Sequence, residues 1–189
     1  MHTRRVISIV SLIIAASCGT ALAQPAKSQI VVFGTPKAFV SADKSFSVLI
    51  PDNWKVEEKS TPGESIVQAG DPTGNSILVI HVLPSTTVLG EAGLPKLLTL
   101  FLDQTTSTFK DFSKGEPIKQ GDGSFAVYFK FNEMSGADKI AVTGDAFAQE
   151  EKGKVALIFF AIPSEQYDDK KAAAYDMINS FKILTTPGS

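Results

Sequence analysis

A continuous apolar run between Lys154 and Pro163 limits the folds open to this chain more than any other stretch. Every residue from 155 to 162 is apolar, and the run is rich in β-branched and aromatic side chains. It is too short to cross a bilayer, so it predicts a strand that is buried on both faces of a sheet. A second run of the same kind, residues 77–83, predicts another central strand. The rest of the chain must cover both strands.

Two segments have the apolar periodicity of amphipathic helices, residues 94–109 and residues 168–184. In the first, apolar side chains recur at spacings of three and four, and Pro95 stands near the start, where a missing N–H costs little. In the second, Asp168 and Asp169 stand near the predicted start, where acidic side chains complement the helix dipole. We expect both helices to pack on the sheet.

Short turns connect the other strand-like segments of the chain. These segments are residues 45–50, 65–69, 116–120, 125–132 and 139–149. The turn at residues 121–123 has the Asp-Gly pair that is typical of a β-hairpin, and strands joined by such short turns are antiparallel. The predicted fold class is therefore α+β. Because the two apolar strands have no polar side, we expect an antiparallel β-sheet covered by α-helices on both faces, an α/β/α sandwich.

The first 23 residues have the three parts of an export signal. Two arginines give a basic start, residues 6–16 are almost wholly apolar, and residues 21–23 end in a small-x-small pattern. We expect cleavage between Ala23 and Gln24, and therefore a periplasmic or extracellular protein. No later segment is long and apolar enough to span a membrane.

Two features of this leader leave alternatives open. Cys18 follows a small-residue stretch that resembles the lipobox of bacterial lipoproteins, but Ala15 stands where that motif usually has leucine. A lipid anchor at Cys18 is therefore an alternative that we favour less than cleavage after Ala23. The arginine pair also resembles a twin-arginine signal, although an ordinary secretory leader explains it as well. Cys18 is the only cysteine, so cleavage after Ala23 would leave no thiol.

The sequence predicts one folded domain after the leader. Residues 1–23 are the cleaved signal peptide, residues 24–41 an N-terminal tether or edge segment, residues 42–185 a single α+β domain, and residues 186–189 a polar tail. The chain has a formal net charge of -2 and becomes more acidic when the leader is removed. This charge argues against nucleic acid or an anionic membrane as the principal partner.

Few residues of the predicted mature chain are suited to catalysis. His81 is its only histidine and lies within an apolar strand, where a structural histidine is the commoner case. One histidine does not make a zinc site, and no Gly-x-Ser-x-Gly elbow accompanies it. Residues 71–75 superficially resemble a calcium loop, but Pro72 interrupts it and Val82 occupies the place of the bidentate glutamate. We expect no catalytic residue, no metal and no cofactor.

The two candidate ligand-binding residues are Trp54 and His81. Trp54 follows the break that residues 51–53 make at the end of a predicted strand. We expect its indole ring to cap the core there, with stacking on a ligand as the alternative role. His81 has the same two alternatives, a hydrogen-bonded structural role and contact with a ligand.

Two short motifs resemble the PsbP-like family. Residues 46–54 resemble that family's strand-Pro-x-x-Trp opening, with Pro51 and Trp54 in the matching places, and residues 178–181 resemble its closing Ile-x-Ser-Phe element. The resemblance covers roughly residues 43–184 and implies an α/β/α sandwich around an antiparallel sheet. It also implies action through protein partners, as in most members of the family. Photosystem attachment is not implied, because the basic docking region of PsbP has no counterpart here.

These observations support a non-enzymatic, extracytoplasmic binding or assembly domain that acts through a protein partner in the cell envelope. A small-ligand carrier or sensor is the alternative, and it would need a pocket under Trp54 or beside His81. A hydrolase of envelope material is a third hypothesis, and it would have to use His81.

Overall fold

The computed structural model describes residues 29–61, 63–135 and 138–185. The predicted cleavage site at Ala23 and Gln24, Cys18 and the tail at 186–189 lie outside the described residues. The strands are β1 (Pro36–Val40), β2 (Phe46–Pro51), β3 (Lys55–Thr61), β4 (Glu64–Gly70), β5 (Ile77–Pro84), β6 (Lys110–Lys114), β7 (Ile118–Lys119), β8 (Phe125–Ser135), β9 (Asp138–Glu151), β10 (Lys154–Pro163) and β11 (Lys182–Ile183). The helices are α1 (Gly90–Thr105) and α2 (Ser164–Asn179).

The main sheet has eight strands and places the organising apolar run at its middle. Its order is β3-β4-β5-β10-β9-β8-β6, with β7 also paired to β8. Every pairing in it is antiparallel, and β10 lies between β5 and β9. The prediction of a mainly antiparallel sheet accompanied by two helices is therefore confirmed. Neither helix has the length and apolar character of a transmembrane span within the described part of the chain.

The side chains of β10 alternate between two separate hydrophobic clusters. Leu157 and Phe159 belong to one cluster together with buried residues of α1, while Ile158 and Phe160 belong to the other together with buried residues of α2. Successive residues of a strand point to opposite faces of the sheet. The absence of polar residues in β10 therefore follows from its position between two apolar cores.

A second sheet, which the sequence did not predict, extends the cluster around α2. It has three strands in the order β1-β2-β11. Ile183 of β11 pairs with Phe46 of β2, and both side chains are fully buried. This pairing explains why the predicted helix at 168–184 differs from α2, which begins at Ser164 and ends at Asn179. The residues after α2 gain more by pairing and burial as a strand than by continuing the helix.

Residues before position 42 contribute to the core. The segment predicted as a tether or edge contains β1, at the edge of the smaller sheet, and also Val31, which is fully buried in the cluster around α2. The backbone N–H of Val31 donates to Oε1 of Gln166 at 2.7 Å. The N-terminal end of the described chain is thus fastened to the first turns of α2.

Two other elements differ from the sequence-based expectation. Residues 55–61, which are not among the predicted strands, form β3 at the edge of the main sheet, where charged side chains discourage pairing with another chain. Residues 110–114, expected to follow a helix ending at 109, form β6, which includes Asp111 with a φ of 54° and a shift of register against β8. Edge strands of this kind lack the apolar alternation on which the prediction depended.

Gly144 in β9 allows an unusually close approach of Phe129 to the sheet. A Cβ atom at this position would collide with the carbonyl oxygen of Phe160 and with the Phe129 ring. The Phe129 ring stacks on Phe159 with a centroid distance of 4.7 Å and on Phe131 at 6.2 Å. The missing side chain at 144 is therefore replaced by an aromatic ring from the neighbouring strand.

Glu150, near the end of β9, caps α1 although it lies far from that helix in sequence. Its carboxylate accepts hydrogen bonds from the backbone N–H groups of Leu89 and Gly90 and from the Ser85 hydroxyl, at 2.8 to 3.0 Å. Helix N-termini have unpaired N–H groups and a positive dipole end, which a carboxylate stabilises. This contact fixes the start of α1 at Gly90 rather than at the expected residue 94.

We expect Glu150→Gln to lower the free energy of unfolding by about 1 kcal/mol at neutral pH, the usual worth of a helix cap. Burial would raise the pKa of Glu150, but the hydrogen bonds from Gly90, Leu89 and Ser85 outweigh it and lower that pKa. The ionised carboxylate therefore stabilises the fold above its unfolded pKa, and this stabilisation is lost as pH falls through the lower folded pKa. Denaturant unfolding at several pH values measures this difference.

The matched control is Glu151→Gln, because the neighbouring Glu151 side chain forms an exposed ion pair with Lys152 at 3.0 Å and no helix cap among the described residues. Its effect should stay within about 0.5 kcal/mol. Equal losses in the two variants, or a loss for Glu150→Gln that does not shrink in acid, would contradict the capping role.

Candidate functional site

Trp54 lies inside the core, with its indole N–H bonded to the backbone. It is buried in the cluster around α2, and its N–H donates to the carbonyl oxygen of Val32 at 3.1 Å. Its ring packs against Phe33, with centroids 5.3 Å apart. With its polar atom paired and its ring covered, Trp54 presents no open surface on which a ligand could stack.

His81 lies on the opposite face of the main sheet, so the structure does not bring the two candidate residues together. It pairs with Leu157 across β10, and Leu157 belongs to the cluster around α1. The His81 side chain is 14% exposed, and its Nε2 atom lies 3.9 Å from Oε2 of Glu64, without a hydrogen bond. Burial lowers the pKa of His81 despite the opposing effect of Glu64, so the imidazole is neutral at neutral pH.

The loop at 71–75 is held together by its own backbone. The Asp71 carboxylate accepts hydrogen bonds from the backbone N–H groups of Thr73, Asn75 and Ser76, and from the Thr73 hydroxyl. A carboxylate that is saturated by N–H donors has little capacity left for a metal ion. Among the described residues, no group of three or more His, Cys, Asp or Glu side chains is placed to hold a metal.

An apolar cavity of about 140 Å³ lies between the smaller sheet and α2. Its lining includes Phe33, Leu49 and Met177, but neither Trp54 nor His81. Sites for small-molecule ligands usually enclose about 300 Å³ or more. The cavity has room for one small apolar group, which is less than a carrier of typical metabolites needs.

The most distinctive polar arrangement gathers all three tyrosines of the chain around one buried acid. We call Tyr128, Asp145, Tyr167 and Tyr175 the tyrosine cluster. Tyr128 on β8 pairs directly with Asp145 on β9, so the two side chains share a face of the sheet. The other two tyrosines come from α2, where they lie eight residues, a little over two turns, apart and both approach Asp145.

Asp145 fixes the position of Tyr167. The Tyr167 hydroxyl donates a hydrogen bond to Oδ2 of Asp145, a residue that is only 5% exposed. Burial raises the pKa of Asp145, although hydrogen bonds from Tyr167 and Tyr175 and the charge of Lys171 oppose the rise. Burial and the same hydrogen bond raise the pKa of Tyr167, which keeps the phenol protonated as a donor. Burying an acid in this way lowers the stability of the fold, so the residue is a good candidate for functional tests.

Two lysines lie over the outer rings of this cluster and give it a charged, exposed rim. The Tyr128 and Tyr167 rings meet edge to face with centroids 5.8 Å apart. The Lys130 ammonium lies 5.4 Å from the centre of the Tyr128 ring, and the Lys171 ammonium lies 6.0 Å from the centre of the Tyr167 ring. We call Tyr128, Lys130, Tyr167 and Lys171 the tyrosine–lysine surface.

This surface is suited to binding rather than to bond-breaking chemistry. Tyr128 is 42% exposed, and both lysines are exposed beside it. Tyrosine rings contribute large, stiff contact areas in protein interfaces, and lysines placed over them add cation–π and ionic contacts. Sequence patterns did not reveal the surface, because its residues come from two elements, β8 and α2, that are far apart in sequence. The alternation in residues 125–132 was the available signal, since it placed Tyr128 and Lys130 on one face.

No family model and no curated protein matches the sequence. Among solved structures, the fold is similar to that of cyanobacterial PsbP (CyanoP) from Synechocystis sp. PCC 6803, with a TM-score of 0.56 and 12% identity over 86% of this chain and 99% of that protein. It is also similar to the Saccharomyces cerevisiae Ran-binding protein Mog1p, with a TM-score of 0.51 and 7% identity over 79% of this chain and 96% of that one. The PsbP-like fold that the two motifs indicated is thereby confirmed.

We expect Asp145→Asn to raise the free energy of unfolding at neutral pH, because the amide oxygen still accepts the Tyr167 hydrogen bond and no charge is buried. The raised pKa of Asp145 means that its protonated form favours the folded state. That favourable contribution is complete below the unfolded pKa, near 3.8, and is lost as pH rises through the folded pKa. The gain in the variant should therefore vanish below that pH. Unfolding curves across the acid range measure it.

Asp122→Asn provides a control of opposite sign. Hydrogen bonds from the Ser124 hydroxyl and backbone N–H lower the pKa of Asp122, so its charge stabilises the fold. This variant should lose stability at neutral pH and converge with the unmodified protein in acid. A loss of stability for Asp145→Asn at neutral pH would contradict our account of the buried carboxylate.

Proposed function

We propose that this chain, which has the fold of PsbP, is a non-enzymatic, extracytoplasmic binding or assembly domain that holds a protein partner at the tyrosine–lysine surface. The observation that carries the proposal is the exposed Tyr128 ring, supported from below by Tyr167 and the buried Asp145. A rigid aromatic side chain, held in place by a buried network and surrounded by charged groups, has the composition of an interface hot spot.

The comparisons support this class of function without identifying the partner. Mog1p is described as a Ran-binding protein, so the same fold serves protein recognition in at least one other chain. We further propose that residues 42–185, joined by the core residues upstream of them, act as one domain. In that domain α1 and α2 close opposite faces of the main sheet, as in an α/β/α sandwich. Such a scaffold leaves loops, edges and the β8–α2 surface available to a partner.

The binding proposal is tested by a photo-crosslinking amino acid placed at position 128 of the exported protein in living cells. A specific adduct with one envelope protein is expected, because position 128 lies within the proposed contact. The captured partner is then purified and its affinity for the unmodified protein is compared with that for Tyr128→Ala. Loss of a hot-spot tyrosine should weaken binding about tenfold.

Leu100 is the matched control position, because it is apolar and 45% exposed, close to the 42% of Tyr128, but lies on α1 rather than on β8 or α2. It should give no adduct with the same partner. The same adduct from both positions, or an affinity that Tyr128→Ala leaves unchanged, would exclude this surface as the binding site.

We also propose that residues 1–23 are a signal peptide, removed between Ala23 and Gln24 during export. The basic start, the apolar stretch and the small-residue cleavage pattern support it. The intact mass of protein recovered from the periplasm or medium is expected to correspond to a chain that begins at Gln24. A chain that begins at a lipid-modified Cys18, or one that retains the leader, would contradict the proposal.

A further inference from the structure

We infer that the partner presents a carboxylate-rich protein segment to Lys130 and Lys171. This inference rests on the proposed function and adds the chemistry by which the tyrosine–lysine surface would select its partner. Its basis is the state of the two lysines in the structure. Lys130 has no carboxylate partner among the described side chains, and Lys171 is paired with an exposed carboxylate of the protein itself.

Lys130 is an exposed cation without an ion pair of its own among the described side chains. Six lysine–carboxylate ion pairs occur among those residues, and none of them includes Lys130. Its ammonium group is instead held over the Tyr128 ring, two residues away on the same strand face. The ring limits the positions of the ammonium, so less side-chain entropy is lost when a carboxylate binds to it.

Lys171 is already paired with the Asp168 carboxylate, and a carboxylate of the partner would take the place of Asp168. Its Nζ atom lies 2.9 Å from Oδ1 of Asp168, one turn earlier on α2, and the Asp168 side chain is 89% exposed. The hydrogen bond from Lys171 and its charge lower the pKa of Asp168, and the charge of Lys130 contributes as well. Asp168 is therefore within the electrostatic reach of both lysines. An exposed ion pair of this type is weak and exchanges readily for another carboxylate.

The buried Asp145 does not turn this surface into a cation site. Its carboxylate lies beneath the rings, is bonded to the Tyr167 hydroxyl and is almost fully covered. The groups that a partner can touch are the two ammonium groups, the Tyr128 ring and the Asp168 carboxylate, which together carry a net positive charge. Charge complementarity at such a rim selects an acidic segment and speeds its association.

The inference is tested with a fluorescently labelled oligoglutamate peptide as the probe, titrated against the purified mature protein at low ionic strength. Lys130→Gln and Lys171→Gln should each weaken peptide binding about threefold, the range expected for exposed ionic contacts. Asp168→Asn should strengthen it about threefold, because it removes the competing carboxylate from Lys171. Amide chemical shifts of residues 128–130 and 167–171 should report the same contact.

The controls are the adjacent residues of α2. Asp169→Asn and Lys170→Gln change the net charge by the same amounts as Asp168→Asn and Lys171→Gln. Neither Asp169 nor Lys170 takes part in the two cation–π contacts or in the six lysine–carboxylate ion pairs of the described residues. Each control variant should change the peptide affinity by less than half as much as the matching Asp168 or Lys171 variant. Circular dichroism and unfolding curves confirm that all variants fold.

Equal effects of the Asp168 and Asp169 variants would overturn the inference, because only the net charge would then matter. Binding to vesicles of anionic phospholipid with the same variant dependence, in the absence of peptide binding, would also overturn it and favour a lipid surface. The proposed function is tested separately, because it is contradicted only by the crosslinking experiment at position 128. A specific adduct at position 128, together with peptide binding that Lys130→Gln and Lys171→Gln leave unchanged, would overturn the inference of an acidic segment. The proposal that this surface binds a partner would then still hold.

Discussion

The architecture depends on one strand having two buried faces. β10 lies between β5 and β9, and its alternate residues enter two hydrophobic clusters that share no member. Buried residues of α1 belong to one cluster, and buried residues of α2 and of the smaller sheet belong to the other. Because burial of apolar surface is the main favourable term in folding, the two apolar faces of β10 are the constraint that the packing of the other elements satisfies.

Sequence reasoning recovered the elements whose patterns are determined by burial. β5, β8, β9 and β10 were predicted with bounds close to those observed, because apolar runs and strict alternation reflect a sheet between two cores. It failed where long-range contacts decide the outcome. The start of α1 depends on the Glu150 carboxylate, and the end of α2 depends on the pairing of β11 with β2. Neither partner is near in sequence, so local periodicity carries no record of it.

The candidate site also depends on contacts between residues that are far apart in sequence. Tyr128 and Asp145 face one another only because β8 and β9 pair in a particular register, and Tyr167 reaches them from α2. The two motifs of the PsbP-like resemblance behave differently. Their residues contact one another: the Phe46 and Phe181 rings lie 5.4 Å apart in the core, and nearer the surface the Ser180 hydroxyl accepts the N–H of Leu49 at 2.8 Å. These motifs therefore indicate how the chain folds, and the residues proposed to bind lie elsewhere.

The close packing of the Phe129 ring against Gly144 has a consequence for internal motion. A phenyl ring can rotate about its axis only when its neighbours move aside, and Phe129 has a peptide backbone on one side and the stacked Phe159 and Phe131 rings around it. Rotation therefore requires these neighbours to move aside together. The rate of that ring flip should report how often the packing around Gly144 loosens.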